Sequence, residues 1–140
     1  MTQTRLQLDH AAALATFDDF LCIMDDQLEA LEDEAEVLGI TLTRSMDGLP
    51  QLEQLALQLL AQHGREAIGA LSVYLGRYLG EITCICHGGR WVLPLDDPRD
   101  IHFNQPVING LCPVPDVHLA PINLVRAFLP RNAREAPPRR

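Results

Sequence analysis

The sequence contains no lysine: all eleven of its cationic side chains are arginine. Between Arg5 and Arg44 it has no cation of either kind, although ten carboxylates fall in that stretch. No apolar run approaches the roughly eighteen residues that a membrane span requires. The first residues, where Arg5 is followed by polar side chains and Asp9, lack the pattern of a secretory leader. A cytoplasmic protein is therefore the expectation. Four cysteines, Cys22, Cys84, Cys86 and Cys112, are too few for a dense disulfide framework. Reduced, mostly buried thiols are expected instead. Also missing are a glycine-rich phosphate loop, a zinc-protease pair and a nucleophile elbow. Those chemistries are excluded, and no cofactor, no metal and no catalytic role is expected. The lack of lysine, beside abundant Ala, Leu, Gly and Pro, reads as coding bias and not as a functional device.

With 140 residues, 47% of them hydrophobic and 21% charged, the chain is long enough for one domain with a real core. Its net charge of -8 is unevenly placed. Residues 1–60 hold twelve carboxylates against two arginines, and residues 61–140 hold seven against nine. Nucleic acid, which selects a basic footprint, is disfavoured as a partner. So are anionic membranes. A basic protein partner is favoured, mainly through faster encounter.

The acidic stretch carries a second pattern. Leu14, Phe17, Leu21, Met24, Leu28, Leu31, Ala35 and Leu38 recur at alternating spacings of three and four. One long helix over about 9–38 follows, capped by Asp9, ended by Gly39, apolar on one side and anionic on the other. The apolar stripe reads as an intramolecular core seam, with a homodimer seam as the alternative. Thr16, Ile23, Ala30 and Val37 form a weaker second strip.

A second helix is expected over about 49–63, with Pro50 in its first turn and Gly64 as its stop. Leu52, Leu55, Leu59 and Leu60 share its face, widened by Ala56 and Leu57. A third runs over about 65–87, because Ile68, Leu71, Leu75, Tyr78, Ile82 and Ile85 keep a 3-4 phase up to Gly88. The β-branched run at Ile82-Thr83 argues for a strand there, but the phase favours helix. Gly69, Gly76 and Gly80 weaken this helix intrinsically and predict close approach of neighbours. A β region follows over about 90–110, with short strands at Arg90–Pro94, Ile101–Phe103 and Val107–Ile108. Pro121 opens a closing helix to Leu129, and residues 130–140 read as a disordered tail. The fold class is therefore α+β and mostly helical: a three-helix N-terminal bundle, a small antiparallel β-meander and a short closing helix, one domain over 1–129.

The candidate binding residues are Asp18, Asp19, Asp25, Asp26, Glu29, Glu32, Asp33 and Glu36. An exposed helix ordinarily mixes charge signs to gain i, i+4 ion pairs. Here like charges face each other at Asp25/Glu29, Glu29/Asp33 and Glu32/Glu36, which points to interaction with something cationic. The Cys84-x-Cys86-His87 triplet resembles part of a metal site. In a helix, however, its two thiols lie about 200° apart and do not share one ion. Glu81, among apolar neighbours, is either a proton-transfer group or a structural bridge.

The segment Tyr78-Leu79-Gly80-Glu81, followed by Gly88-Gly89-Arg90-Trp91-Val92 and by the proline-led helix from Pro121, resembles a loose group of small bacterial proteins. The similarity covers roughly residues 66–129 and not the acidic helix. Some members resemble immunity proteins encoded beside antibacterial toxins. The resemblance implies structural roles for Tyr78, Glu81 and Trp91 at a helix–strand corner. It also implies a cognate toxin, with a basic active-site cleft, as partner. An alternative from a different class is a helical adaptor or secretion chaperone holding a client protein.

Overall fold

A glutamate, an arginine and a tyrosine far apart in sequence fasten the acidic segment to the rest of the molecule, and the helices are arranged around that junction. The computed structural model describes residues 9–114 and 117–135. The chain is mostly helical with one small two-stranded antiparallel sheet.

The acidic segment forms two helices, not the single helix over 9–38 that its periodicity predicts. Helix α1 spans His10–Cys22 and α2 spans Met24–Val37. The Asp9 carboxylate accepts a hydrogen bond from the backbone N–H of Ala12 at 3.1 Å and caps α1. At Ile23 the backbone leaves the helical range (φ -92°, ψ 6°), and the buried face changes register. In α2 the predicted stripe is kept: Met24, Leu28, Leu31 and Ala35 are all buried. In α1 it is not. Phe20 is buried and Phe17 half-buried, while Leu14 and Leu21 face solvent. The physical reason lies in Phe20. Its ring finds an aromatic and a cationic neighbour, a directional gain that a leucine cannot make. Leu38 caps α2, and Gly39 after it, at φ +79°, turns the chain away in the left-handed conformation.

Helix α3 spans Leu49–His63 and α4 spans Ile68–His87, each entered through a short 3-10 turn. Leu52, Leu55, Ala56, Leu59 and Leu60 of α3 are buried, whereas Leu57 is exposed. The 3-4 phase carries α4 through Ile82 and Thr83 to His87, where Gly88 at φ +80° closes it. Helix α4 is the hub: α2, α3 and α5 (Pro121–Glu135) all pack against it. Helix α5 lies along it closely enough that a Cβ on Gly76 would sit 2.7 Å from the Ile122 Cα.

Strands β1 (Arg90–Val92) and β2 (Val107–Asn109) pair antiparallel, with Trp91 opposite Ile108. Ile108 also exchanges backbone hydrogen bonds with Leu119 at 2.8 and 2.9 Å. The expected third strand at Ile101–Phe103 is instead a turn. The Asp100 carboxylate accepts the His102 N–H at 2.8 Å and its carbonyl accepts the Phe103 N–H at 2.9 Å, a local arrangement that competes with a strand ladder. The closing helix continues past Leu129 through Pro130 to Glu135, six residues into the expected tail. Leu129 is fully buried and Ala133 packs against the core. The Asn132 side chain donates to the Phe128 carbonyl at 2.8 Å beside the proline. The remainder of that tail, residues 136–140, lies outside the described residues.

Among the described residues no helix is long and apolar enough to cross a membrane.

The glycines of α4 make this packing testable. An alanine at Gly76 meets backbone atoms of Ile122, which cannot turn aside, so Gly76→Ala should destabilise by about 1–3 kcal/mol in chemical denaturation. Nothing lies within 4 Å of a Cβ at Gly69. There the same change removes only a helix-weakening residue and should stabilise by roughly 0.5 kcal/mol.

Candidate functional site

Seven of the eight candidate acids, Asp18, Asp19, Asp25, Asp26, Glu29, Asp33 and Glu36, are exposed, as is Glu34. They lie on the outer side of α1 and α2, away from the buried Met24, Leu28, Leu31 and Ala35. Among the described residues the ion pairs are Arg44 with Glu32 and Arg99 with Asp97. The exposed carboxylates of α1 and α2 therefore have no cationic partner within that set. Asp25 and Asp26 stand in the first turn of α2, where the helix dipole favours negative charge. Glu34 and Glu36 stand in its last turn, where the dipole opposes it, and no basic residue stands there to compensate.

Glu32 differs from the others. It is half-buried, and both of its oxygens are engaged. Arg44 Nε donates to Oε2 at 2.8 Å and Nη2 donates to Oε1 at 3.2 Å, a two-point grip. The hydroxyl of the fully buried Tyr78 donates to Oε2 at 2.7 Å. The Arg44 hydrogen bond holds the Glu32 carboxyl below the usual carboxylate range, against the opposing effect of burial, and Tyr78 adds to it. Burial, followed by the hydrogen bond to Glu32, pushes the Tyr78 phenol above its ordinary value. The triad joins α2, the connection after it and α4. Glu32 thus lies inside the fold and its carboxylate is not free for a partner. Sequence reasoning did not find its attachment, although Arg44, the first cation after the acidic run, was a visible signal.

A second cluster holds α1. Trp91 Nε1 donates to Glu81 Oε2 at 2.8 Å, tying β1 to α4. The Trp91 ring meets Phe20 edge-on with centroids 5.0 Å apart. On Phe20 also sits the Arg77 guanidinium, 4.7 Å from the ring centroid. Arg77 is only 7% exposed and has no carboxylate against it among the described residues. Its Nη1 reaches Gln27 Oε1 at 3.4 Å, and its Nε has no hydrogen-bond partner among the described residues. Burial accordingly lowers its proton affinity. Phe20, Gln27 and Arg77 were not identified from sequence. A lone cation in the otherwise apolar middle of α4 was the available signal.

The cysteines are not buried as expected. Cys22, Cys86 and Cys112 are exposed and Cys84 is half-buried. Cys22 lies in the last turn of the poorly covered α1 and Cys86 in the exposed last turn of α4. Among the described residues no group of three or more His, Cys, Asp or Glu is placed to hold a metal.

The surface of the described residues also has concavities. One of about 390 Å³ lies beneath α1, between Ala13, Phe17 and Phe20 on one side and Leu93 and Pro106 on the other. An apolar groove of about 250 Å³ lies among α3, α4 and α5, with Leu75, Leu124 and Phe128 in its walls and Glu53 its only ionisable group. The third, about 380 Å³, is flanked by Asp96, Asp97, Asp100 and His118.

Two outcomes follow from this chemistry. Because Glu32 titrates lower in the folded chain, its contribution is complete above the ordinary glutamate value of about 4.3 and is lost as pH falls through its folded value. Glu32→Gln should therefore lower stability by about 1–3 kcal/mol at pH 7. In urea unfolding the gap to the wild type should close toward pH 3, and a gap independent of pH would contradict the assignment. For the thiols, burial raises Cys84 to about 11, with Glu81 adding to the effect. In a disulfide-exchange titration at neutral pH, three thiols should react promptly and one slowly, and Cys84→Ala should remove the slow phase.

No protein-family model matches the chain, and comparison with curated proteins and with solved structures finds no match.

Proposed function

We propose that this is a cytoplasmic immunity protein, which binds one cognate toxin and covers its active site with the acidic face of α1 and α2. The observation that carries this reading is the row of exposed carboxylates with no cation beside them among the described residues. These charges destabilise their own helices, by about 0.2–0.5 kcal/mol for each like pair four residues apart. A face of this kind is favoured when a cationic surface supplies the missing counter-charge on binding. A cleft that handles a nucleotide or nucleic acid is basic, and the carboxylates would occupy the places of phosphates there. The partner-binding residues are Asp18, Asp19, Asp25, Asp26, Glu29, Asp33 and Glu36, with Glu32 holding the helix in position. Tyr78, Glu81 and Trp91 act structurally in this reading. The YLGE and GG-x-W elements, by their resemblance, support it. The protein acts by binding and not by catalysis.

A second reading, a helical adaptor or secretion chaperone, is favoured by the open apolar groove among α3, α4 and α5, which suits a client's apolar side chains.

The two readings separate on what happens to the bound protein. Tagged protein recovered from its native cell should carry one stoichiometric partner that kills when expressed alone and is silenced by co-expression. A harmless client that remains competent for export would support the adaptor instead. Reversing Asp25, Asp26, Glu29 and Asp33 to arginine should weaken the complex at least about a hundred-fold at low salt. Unchanged affinity would remove this face from the interface.

A further inference from the structure

Helix α1 leaves two leucines uncovered. Leu14 is 47% exposed and Leu21 39%, whereas Phe20 beside them is 8% exposed. They stand seven residues apart and so point the same way, about 10 Å from each other along the helix. Between them stands Asp18, and beyond them come Asp25, Glu29 and Glu36; all six are exposed, and each directly follows a residue of the inward face, Ala13, Phe17, Phe20, Met24, Leu28 and Ala35 in turn. One edge of the acidic segment is thus apolar at its start and anionic along its remainder.

We infer that this edge is a docking surface for a cationic amphipathic segment of a partner protein, with apolar side chains that cover Leu14 and Leu21 and arginine or lysine side chains that meet Asp25, Glu29 and Glu36. The inference rests on the reading of the acidic face as a binding face and adds an apolar anchor and a direction to it. Charge complementarity selects the occupant. A second copy of the chain, docked along the whole edge, would set Glu29 and Glu36 against identical carboxylates in a parallel arrangement and against Leu21 and Leu14 in an antiparallel one. An uncharged apolar segment would cover the leucines but leave the neighbouring carboxylates facing it without counter-charge. A segment that is cationic but lacks apolar residues would pair the charges and leave the leucines wet. Only the combination satisfies both ends. A helix with apolar residues at i and i+7, followed by basic residues on the same face, matches the spacing.

The test uses the full chain and a fluorescent synthetic helix carrying two leucines seven residues apart in its first half and arginines in its second. A control peptide has glutamine in place of the leucines. The variants are Leu14→Ser with Leu21→Ser, and Asp25→Asn with Glu29→Gln, all at exposed positions and each checked by circular dichroism. Binding by anisotropy should be at least about ten-fold tighter for the leucine peptide, and the serine variant should abolish that advantage. If the serine variant binds as well as wild type while the amide variant weakens, the apolar anchor is overturned and the acidic face survives. If neither variant changes affinity, both are overturned. If sedimentation shows a dimer that the serine variant dissociates, the patch joins two copies and the inference fails.

Discussion

The ion pair and hydrogen bond that converge on Glu32 set the position of the acidic helix. One carboxylate out of the ten between Arg5 and Arg44 turns inward, and it takes both Arg44 and the buried Tyr78 hydroxyl. That fixes the rotation of α2 about its axis. With Glu32 against α4, the apolar side chains Leu28, Leu31 and Ala35 enter the core and Glu29, Asp33 and Glu36 face outward. Removal of Arg44 or Tyr78 would leave a half-buried charge partly unanswered, which costs far more than an exposed ion pair contributes. The energetic importance of the junction therefore comes from its partial burial and from its two-point geometry.

Helix α1 is held differently. Its attachment relies on one aromatic ring, Phe20, set between Trp91 and the guanidinium of Arg77. Among the described residues Arg77 is a buried cation without a carboxylate, and the π-face of Phe20 and the Gln27 oxygen stabilise it. Helix α1 buries Phe20 where α2 buries Met24, Leu28, Leu31 and Ala35, and a cleft lies under α1 beside the ring. The acidic surface thus has a firmly seated half on α2 and a lightly seated half on α1, with the change of register at Ile23 between them. The exposed leucines belong to the lightly seated half, and the densest negative charge to the firm one.

Much of this was legible in the sequence because it is local. The 3-4 spacing marked α2, α3 and α4, glycines marked their ends, and Pro121 marked the start of α5. Local signals failed where a distant residue decided the outcome. The heptad pattern through Leu14 and Leu21 continued unbroken in sequence, yet Trp91 and Arg77, about seventy and fifty-five positions away, drew Phe20 inward instead. For Glu32 the sequence offered Arg44, the first cation after the acidic run, but not Tyr78, which the fold brings opposite from 46 positions away. The Ile101–Phe103 segment had the residues of a strand, but Asp100 satisfied its backbone locally. Pro130 reads as a stop in sequence, yet burial of Leu129 and packing of Ala133 carry α5 past it. The thiols were misplaced for a simpler reason: cysteine's general preference for burial says nothing about which side of a helix it occupies.

In the proposed reading the outward carboxylates of α2 oppose folding until a partner's cations answer them. Thermal unfolding of a Glu29→Gln, Asp33→Asn, Glu36→Gln variant at low ionic strength tests it most directly. Neutralising these side chains removes like-charge pairs and charge that opposes the dipole at the end of α2, so the variant should melt higher than wild type. The difference should shrink as salt is added. A lower melting temperature would mean that these carboxylates hold the fold together as Glu32 does, and that no partner is needed to explain them.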